Sequence, residues 1–237
     1  MLNGKVLFKV KMKIAVLTIF PEIFQSFLNT SLLSKAIKNN ILSIDVINFR
    51  DFASPPHHKV DDEPYGGGAG MLLKPEPIVY AVEKVKETMK DAHVILLSAS
   101  GTTFTQEKAK EYSQKENLIF ICGRYEGVDQ RVIDLAVDEE ISIGNYVLMG
   151  GEIPSMAIIE ATTRLIPNVI GNSESVITES FQENLLEAPQ YTRPEEFRGL
   201  KVPNVLISGH HENIKKWRKE KALEKTKNIK PELLGRV

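Results

Sequence analysis

The run Leu118-Ile119-Phe120-Ile121-Cys122-Gly123-Arg124-Tyr125-Glu126-Gly127-Val128-Asp129 passes from an unbroken apolar stretch into a charged turn bounded by glycines. A short apolar run closed by turn residues reads as a buried strand, and the segment after it, residues 127–137, reads as a short helix. The same alternation extends in both directions. Upstream, residues 14–19, 41–48 and 93–98 read as strands, and residues 22–38, 75–90 and 105–114 as helices. Pro75 opens one helix and Thr105 caps another. Downstream, residues 140–143 read as a last strand and residues 153–165 as a helix with Pro154 in its first turn. Strand–helix alternation implies an α/β fold, a parallel sheet with helices on both faces.

The alternation stops near Gly171. Residues 172–190 lack apolar periodicity and read as a linker, and residues 191–237 as a small, polar, all-α C-terminal domain whose clearest helix covers 213–227. The α/β domain is expected over residues 12–171. Residues 1–11 read as a leader or an early start, with Met12 the natural beginning. Their lysines precede an apolar stretch too short for a signal peptide.

The chain has 237 residues, 42% hydrophobic and 26% charged, as in ordinary globular proteins. No apolar run approaches the roughly 20 residues that span a bilayer, so no membrane role is expected. The single cysteine excludes a disulfide framework and a Cys-based zinc site, which makes the cytoplasm the default compartment. Net charge is −1, but from residue 201 onward ten Lys/Arg stand against four Asp/Glu. That asymmetry suits contact with phosphate, and a solvated helix accounts for it equally well.

Ligands on such sheets bind beyond the C-terminal strand ends. Several loops are candidates. Tyr65-Gly66-Gly67-Gly68-Ala69-Gly70-Met71 is either a surface loop or a place of close backbone approach. It is no dinucleotide fingerprint, because no strand leads into it and Met71 takes the last glycine position, and no P-loop motif occurs. Leu97-Ser98-Ala99-Ser100-Gly101 reads as a generic strand-end turn. The Arg124-Tyr125-Glu126 cluster at a strand-to-helix switch favours function over a surface salt bridge. Ser142-Ile143-Gly144-Asn145-Tyr146-Val147-Leu148-Met149-Gly150-Gly151-Glu152-Ile153-Pro154 offers backbone groups that can read an adenine edge, or simply caps a helix. Cys122, at the end of an apolar strand, reads as a small hydrophobe. The pairs His57-His58 and His210-His211 lack metal-ligand spacing, so no metal ligands are assigned.

Taken with Phe20-Pro21-Glu22, Arg50-Asp51-Phe52, Val60-Asp61-Asp62, residues 189–194 and residues 202–211, these stretches resemble the bacterial tRNA (guanine-N1)-methyltransferase family of the SPOUT class. Each stretch alone is a modest signal, and their order together is specific. The likeness runs from about residue 12 to 234. It implies a deep trefoil knot, S-adenosylmethionine as cofactor, and a homodimer with the active site at the subunit interface. It also implies a tRNA substrate methylated at the guanosine of position 37, next to the anticodon. Carried over by motif position, the cofactor site comprises Leu97, Ser98, Gly123, Glu126, Ile143, Tyr146, Leu148, Gly150, Gly151 and Pro154. The catalytic pair is Glu179, as base, and Arg164. Asp61, Lys215, Lys216, Arg218 and Lys219 fall to tRNA binding. A magnesium requirement, with Glu126 as participant, is implied too.

The chain departs from the family pattern at Glu179 and Asn145, where aspartate is usual, and at Ala99, where proline is usual. Its C-terminal region also ends early. The main rival is a related SPOUT enzyme acting on rRNA. An RNA-binding protein without activity and a flavodoxin-like nucleotide enzyme are further alternatives. A mere binder has no need of both Glu179 and Arg164.

Overall fold

The computed structural model describes residues 11–170, 180–181 and 184–235. The chain divides into two compact units, Met1–Gly171 and Asn172–Val237. The first is an α/β unit around a five-stranded, all-parallel sheet in the order β2-β1-β6-β5-β7. Its strands are β1 (Met12–Thr18), β2 (Leu42–Asn48), β5 (His93–Thr103), β6 (Asn117–Cys122) and β7 (Glu139–Ser142). Short strands β3 (Asp61–Asp62) and β4 (Leu72–Leu73) pair antiparallel across the glycine-rich segment.

Both sheet faces are covered, which is why the strands read as continuous apolar runs. One face packs Ala15, Leu17, Val94, Leu96, Ile119 and Ile121 against α3 (Pro75–Lys86) and α5 (Gln130–Ala136). The other packs Ile14, Val16, Ile95, Phe120 and Ile141 against α2 (Ser31–Lys38), α4 (Gln106–Ser113) and α6 (Glu152–Thr163). Each fully buried side chain of this kind contributes about 1.5–3 kcal/mol. Helix starts follow the expected chemistry. Thr105 Oγ1 accepts from the Lys108 amide at 3.3 Å, and Asp129 caps α5 by accepting from the Arg131 amide at 2.9 Å.

Some expectations are corrected. The single helix expected over 22–38 is three pieces: a 3-10 turn Pro21–Phe24, α1 (Gln25–Leu28) and α2. The Asn29 amide and the Thr30 hydroxyl bond back to the carbonyls of Gln25 and Ser26, and Thr30 is extended, which ends the first helix. β5 does not end at Ser98. It continues to Thr103, with a register shift between Leu97 and Thr102, both of which face Ile141. Gly101 lies against the β7 backbone so closely that a Cβ would sit 2.5 Å from the carbonyl carbon of Glu140.

The second unit contains α7 (Asn204–Ile207) and the long α8 (His211–Ile229), but it is not purely helical. β8 (Glu196–Phe197) and β9 (Leu200–Lys201) form a hairpin. Arg198 and Gly199 make its turn with φ of 51° and 81°, the left-handed pair that a tight two-residue hairpin requires. Thr226 on α8 anchors the chain before the hairpin: its Oγ1 accepts from the Leu186 amide at 2.9 Å and donates to the Ala222 carbonyl at 2.7 Å. Among the described residues no helix is long and apolar enough to cross a membrane.

Candidate active site

The C-terminal ends of β5, β6 and β7 converge on one cleft of about 420 Å³, within the range of small-molecule sites. Three segments wall it. The excursion Ser98-Ala99-Ser100 leaves β5 where its register shifts, tied internally by the Ser98 and Ser100 hydroxyls 2.7 Å apart. The turn after β6 runs from Gly123 to Val128. The loop after β7 runs from Ile143 to Gly151 and enters α6.

Backbone contacts fix these segments against one another. The Gly151 amide donates to the Gly123 carbonyl at 2.9 Å, and Arg124 bridges Gly150. A side chain at Gly151 would place Cβ 2.7 Å from Cys122 Cα and 3.0 Å from Leu97 Cβ, so only glycine allows this approach. The β6 turn is braced from outside: the Glu126 amide donates to the Met71 carbonyl at 3.0 Å, and the Leu73 amide to the Gly127 carbonyl at 3.0 Å. Tyr125 and Gly127 have φ of 60° and 124°, the bend that turns Glu126 out of the strand direction.

Every residue assigned by resemblance to the cofactor lies on this wall: Leu97, Ser98, Gly123, Glu126, Ile143, Tyr146, Leu148, Gly150, Gly151 and Pro154. The other assigned residues stand apart. Arg164 is the half-buried C-cap of α6, its amide bonded to the Glu160 carbonyl at 3.1 Å, and is not on the cleft wall. Glu179 lies outside the described residues. Asp61 pairs with Leu73 across the β3–β4 hairpin, the element that braces Gly127. Lys215, Lys216, Arg218 and Lys219 belong to the second unit, exposed on successive turns of α8.

Sequence reasoning missed a buried polar cluster beneath the cleft. Glu152, the first residue of α6, is 1% exposed. Its Oε1 accepts from the Thr18 hydroxyl at 2.8 Å, and its Oε2 lies 2.9 Å from Arg124 Nη2. Arg124 stacks on Phe20, 4.6 Å from the ring centroid, and its Nη1 donates to the Met149 carbonyl at 3.4 Å. The available signal was a carboxylate at the start of a helix whose buried side also carries Pro154, Ile158 and Ile159.

Cys122 is wholly buried, with its Sγ 3.6 Å from Ser155 Oγ. Burial, helped by the nearby Glu152 carboxylate, pushes its thiol far above the ordinary range, so it is no thiolate nucleophile. Among the described residues no three His, Cys, Asp or Glu side chains gather as a metal cluster.

The tRNA (Guanine-1)-methyltransferase TrmD family matches residues 12–236. A tRNA (guanine-N(1)-)-methyltransferase of Halalkalibacterium halodurans is 52% identical over 224 residues, 94% of this chain and 91% of the relative. Proteins of the same name from Desulforamulus reducens and Clostridium beijerinckii are 50% identical over 228 residues and 52% identical over 226. Each alignment covers 95% of this chain, with 90% and 93% of the respective relatives.

Proposed function

The chain belongs to the tRNA (guanine-1)-methyltransferase family, and we propose that it methylates N1 of the guanosine at tRNA position 37, next to the anticodon. Family membership implies S-adenosylmethionine as the methyl donor. The observation that carries the reading is the single cleft formed where the β5 excursion, the β6 turn and the β7 loop meet. Glycines 123, 150 and 151 on its wall carry no side chain to cover their N–H and C=O groups, which suits a purine edge and a ribose. Leu97, Ile143, Leu148 and Pro154 supply apolar contact.

Guanine N1 carries a proton at neutral pH and is a poor nucleophile until that proton leaves. In our reading the Glu179 carboxylate takes the proton as the N1 lone pair forms the new N–C bond and the C–S bond breaks. A positioned base contributes about 10²–10⁴ in rate. Negative charge then develops on guanine O6, and the Arg164 guanidinium stabilises it as it forms. Its planar fork also suits a guanine edge, worth roughly 1–3 kcal/mol in discrimination. Bound S-adenosylmethionine would supply the methyl group from its sulfonium, the C–S pair leaving on sulfur as a neutral thioether.

The remaining parts of the proposal follow from the same family reading. The family reading implies that the chain around the β7 loop threads as a deep trefoil knot. The protein acts as a homodimer with the active site at the subunit interface, supported by exposed apolar residues on and next to the cleft wall: Val147 (85%), Met149 (88%) and Ile153 (59%). Residues 172–190 link the methyltransferase domain to a tRNA-binding domain over 191–237, where Lys215, Lys216, Arg218 and Lys219 meet phosphate, and Asp61 contacts tRNA from the first unit. Glu126, whose exposed carboxylate is on the cleft wall, would be the protein ligand for the magnesium ion that the family implies, in the one-carboxylate mode that ion uses. The enzyme works in the cytoplasm. Incubation with S-adenosylmethionine and total tRNA, followed by nucleoside mass spectrometry, tests the proposal. New 1-methylguanosine supports it, and methylation of rRNA in place of tRNA would favour the rival substrate.

A further inference from the structure

We infer that Glu152 is a positioning residue for the cofactor, acting through Arg124 on the loop from Ile143 to Gly151. The inference rests on the cleft being the S-adenosylmethionine site. Glu152 itself has no place on the cleft wall, whereas Arg124, Met149 and Gly150 do.

The cluster connects the sheet to that wall in one chain of contacts. Thr18, fully buried at the end of β1, donates its hydroxyl to Glu152 Oε1. Glu152 Oε2 lies 2.9 Å from Arg124 Nη2, and Arg124 Nη1 reaches the Met149 carbonyl in the middle of the loop. The Phe20 ring, 4.6 Å from the guanidinium carbon, closes one side of Arg124. A Cβ on Gly150 would collide with Arg124 Nε and Glu152 Oε2, so the loop residue next to Met149 is glycine where the pair needs the space.

The pair is not arranged as a fork optimised for stability. Arg124 Nε is buried without a hydrogen-bond partner, and Glu152 Oε2 has the arginine charge at 2.9 Å but no aligned hydrogen bond. A fork–fork Arg–carboxylate pair makes two parallel N–H bonds, and this pair does not. Here the guanidinium meets the carboxylate as an ion pair at 2.9 Å and gives its hydrogen bond to the Met149 carbonyl on the loop. The buried carboxylate thus fixes where Arg124 stands, and Arg124 fixes the height of the loop that faces the cofactor. Burying two charges costs stability unless each is held by its partner, so neutralising one releases the other.

The test uses the full-length protein. S-adenosylmethionine binding is measured by calorimetry, steady-state methylation is measured with tRNA, and thermal melting is recorded for each variant. Glu152→Gln and Arg124→Gln are each expected to raise the cofactor Kd and KM about tenfold, equivalent to about 1.4 kcal/mol, with kcat at saturating cofactor within about threefold of the parent. The double variant is expected to bind no worse than the weaker single variant, because the two side chains act as a unit. Thr18→Val leaves both charges in place but removes the donor to Oε1 and the acceptor of the Phe20 amide, and should raise Kd about threefold, while Thr18→Ser, which keeps the hydroxyl, should not. A lowered melting temperature with unchanged Kd in all these variants, or additive effects in the double variant, overturns the inference. If Glu152→Gln does not fold, the comparison of Thr18→Val with Thr18→Ser decides: equal Kd values overturn it. Failure of the parent protein itself to bind S-adenosylmethionine would instead overturn the cofactor reading on which the inference rests.

Discussion

Gly151→Ala isolates the approach of the β7 loop to the end of β6. The added Cβ would stand 2.7 Å from Cys122 Cα, 3.0 Å from the Gly123 nitrogen and 3.0 Å from Leu97 Cβ. Carbon atoms settle about 3.5–4.0 Å apart, so the loop must retreat by about 1 Å, because two of the three neighbours are backbone. Overpacking of this kind costs about 1–3 kcal/mol. The retreat also strains the 2.9 Å bond from the Gly151 amide to the Gly123 carbonyl, a further loss of about 0.5–1.5 kcal/mol. A total of about 2–4 kcal/mol lowers Tm by roughly 5–15 °C for a protein of this size. Because the displaced loop forms the cleft wall, the cofactor Kd should rise at least about tenfold, a shift of about 1.4 kcal/mol. The assay is circular-dichroism melting with calorimetric titration of S-adenosylmethionine. Gly199→Ala is the control: its φ is 81° and nothing lies within 4 Å of the new Cβ, so it carries only left-handed strain of about 1–2 kcal/mol. It should leave cofactor affinity unchanged. Wild-type melting and wild-type Kd in Gly151→Ala would refute the reasoning.

Glu179→Gln should leave cofactor and tRNA binding nearly intact while lowering the single-turnover methylation rate about 10²-fold or more, with Glu179→Asp retaining substantial activity and higher pH partly rescuing the Gln form. A wild-type rate at neutral pH in Glu179→Gln would remove this residue from the mechanism. Neutralising Lys216 and Lys219 should weaken tRNA binding and reduce the log–log salt slope by about one for each lysine–phosphate pair removed, with cofactor affinity unchanged. An unaltered slope would leave α8 as a solvated helix. At the opposite end of the sheet, burial alone would raise the Glu139 carboxyl, but hydrogen bonds from Lys108, Tyr112 and His93 outweigh it and hold the group below its ordinary value. A depressed carboxyl contributes stability above its unfolded value and loses it as pH falls through the folded one. Glu139→Gln should therefore lower stability in urea unfolding at pH 7, and the gap should narrow as pH falls below the ordinary carboxyl range and through the folded carboxyl's lowered titration. A gap of equal size at pH 3 would contradict the assignment.

The sheet was legible because burial on both faces leaves an unmistakable trace: β6 is apolar from Leu118 to Cys122 with no polar alternation. The cleft residues were legible through their glycines and their place after strands, and the family likeness turned that pattern into named positions. What escaped was set by long-range packing. The continuation of β5 past Ser98 depends on Gly101 meeting the β7 backbone, which no local pattern announces. Glu152 reads locally as an acidic residue opening a helix, and its ties to Thr18 and Arg124 exist only once β1, β6 and α6 meet. The Arg198-Gly199 turn joins strands of only two residues each, too short for alternation to show them.

The substrate assignment is tested most directly with two transcripts of one tRNA that differ only in carrying guanosine or adenosine at position 37. Each is incubated with methyl-labelled S-adenosylmethionine and the purified protein. The expected result is one methyl group per guanosine-37 transcript, recovered as 1-methylguanosine, and none on the adenosine-37 transcript. Equal labelling of both transcripts, or no labelling of the guanosine-37 transcript, would contradict the assignment.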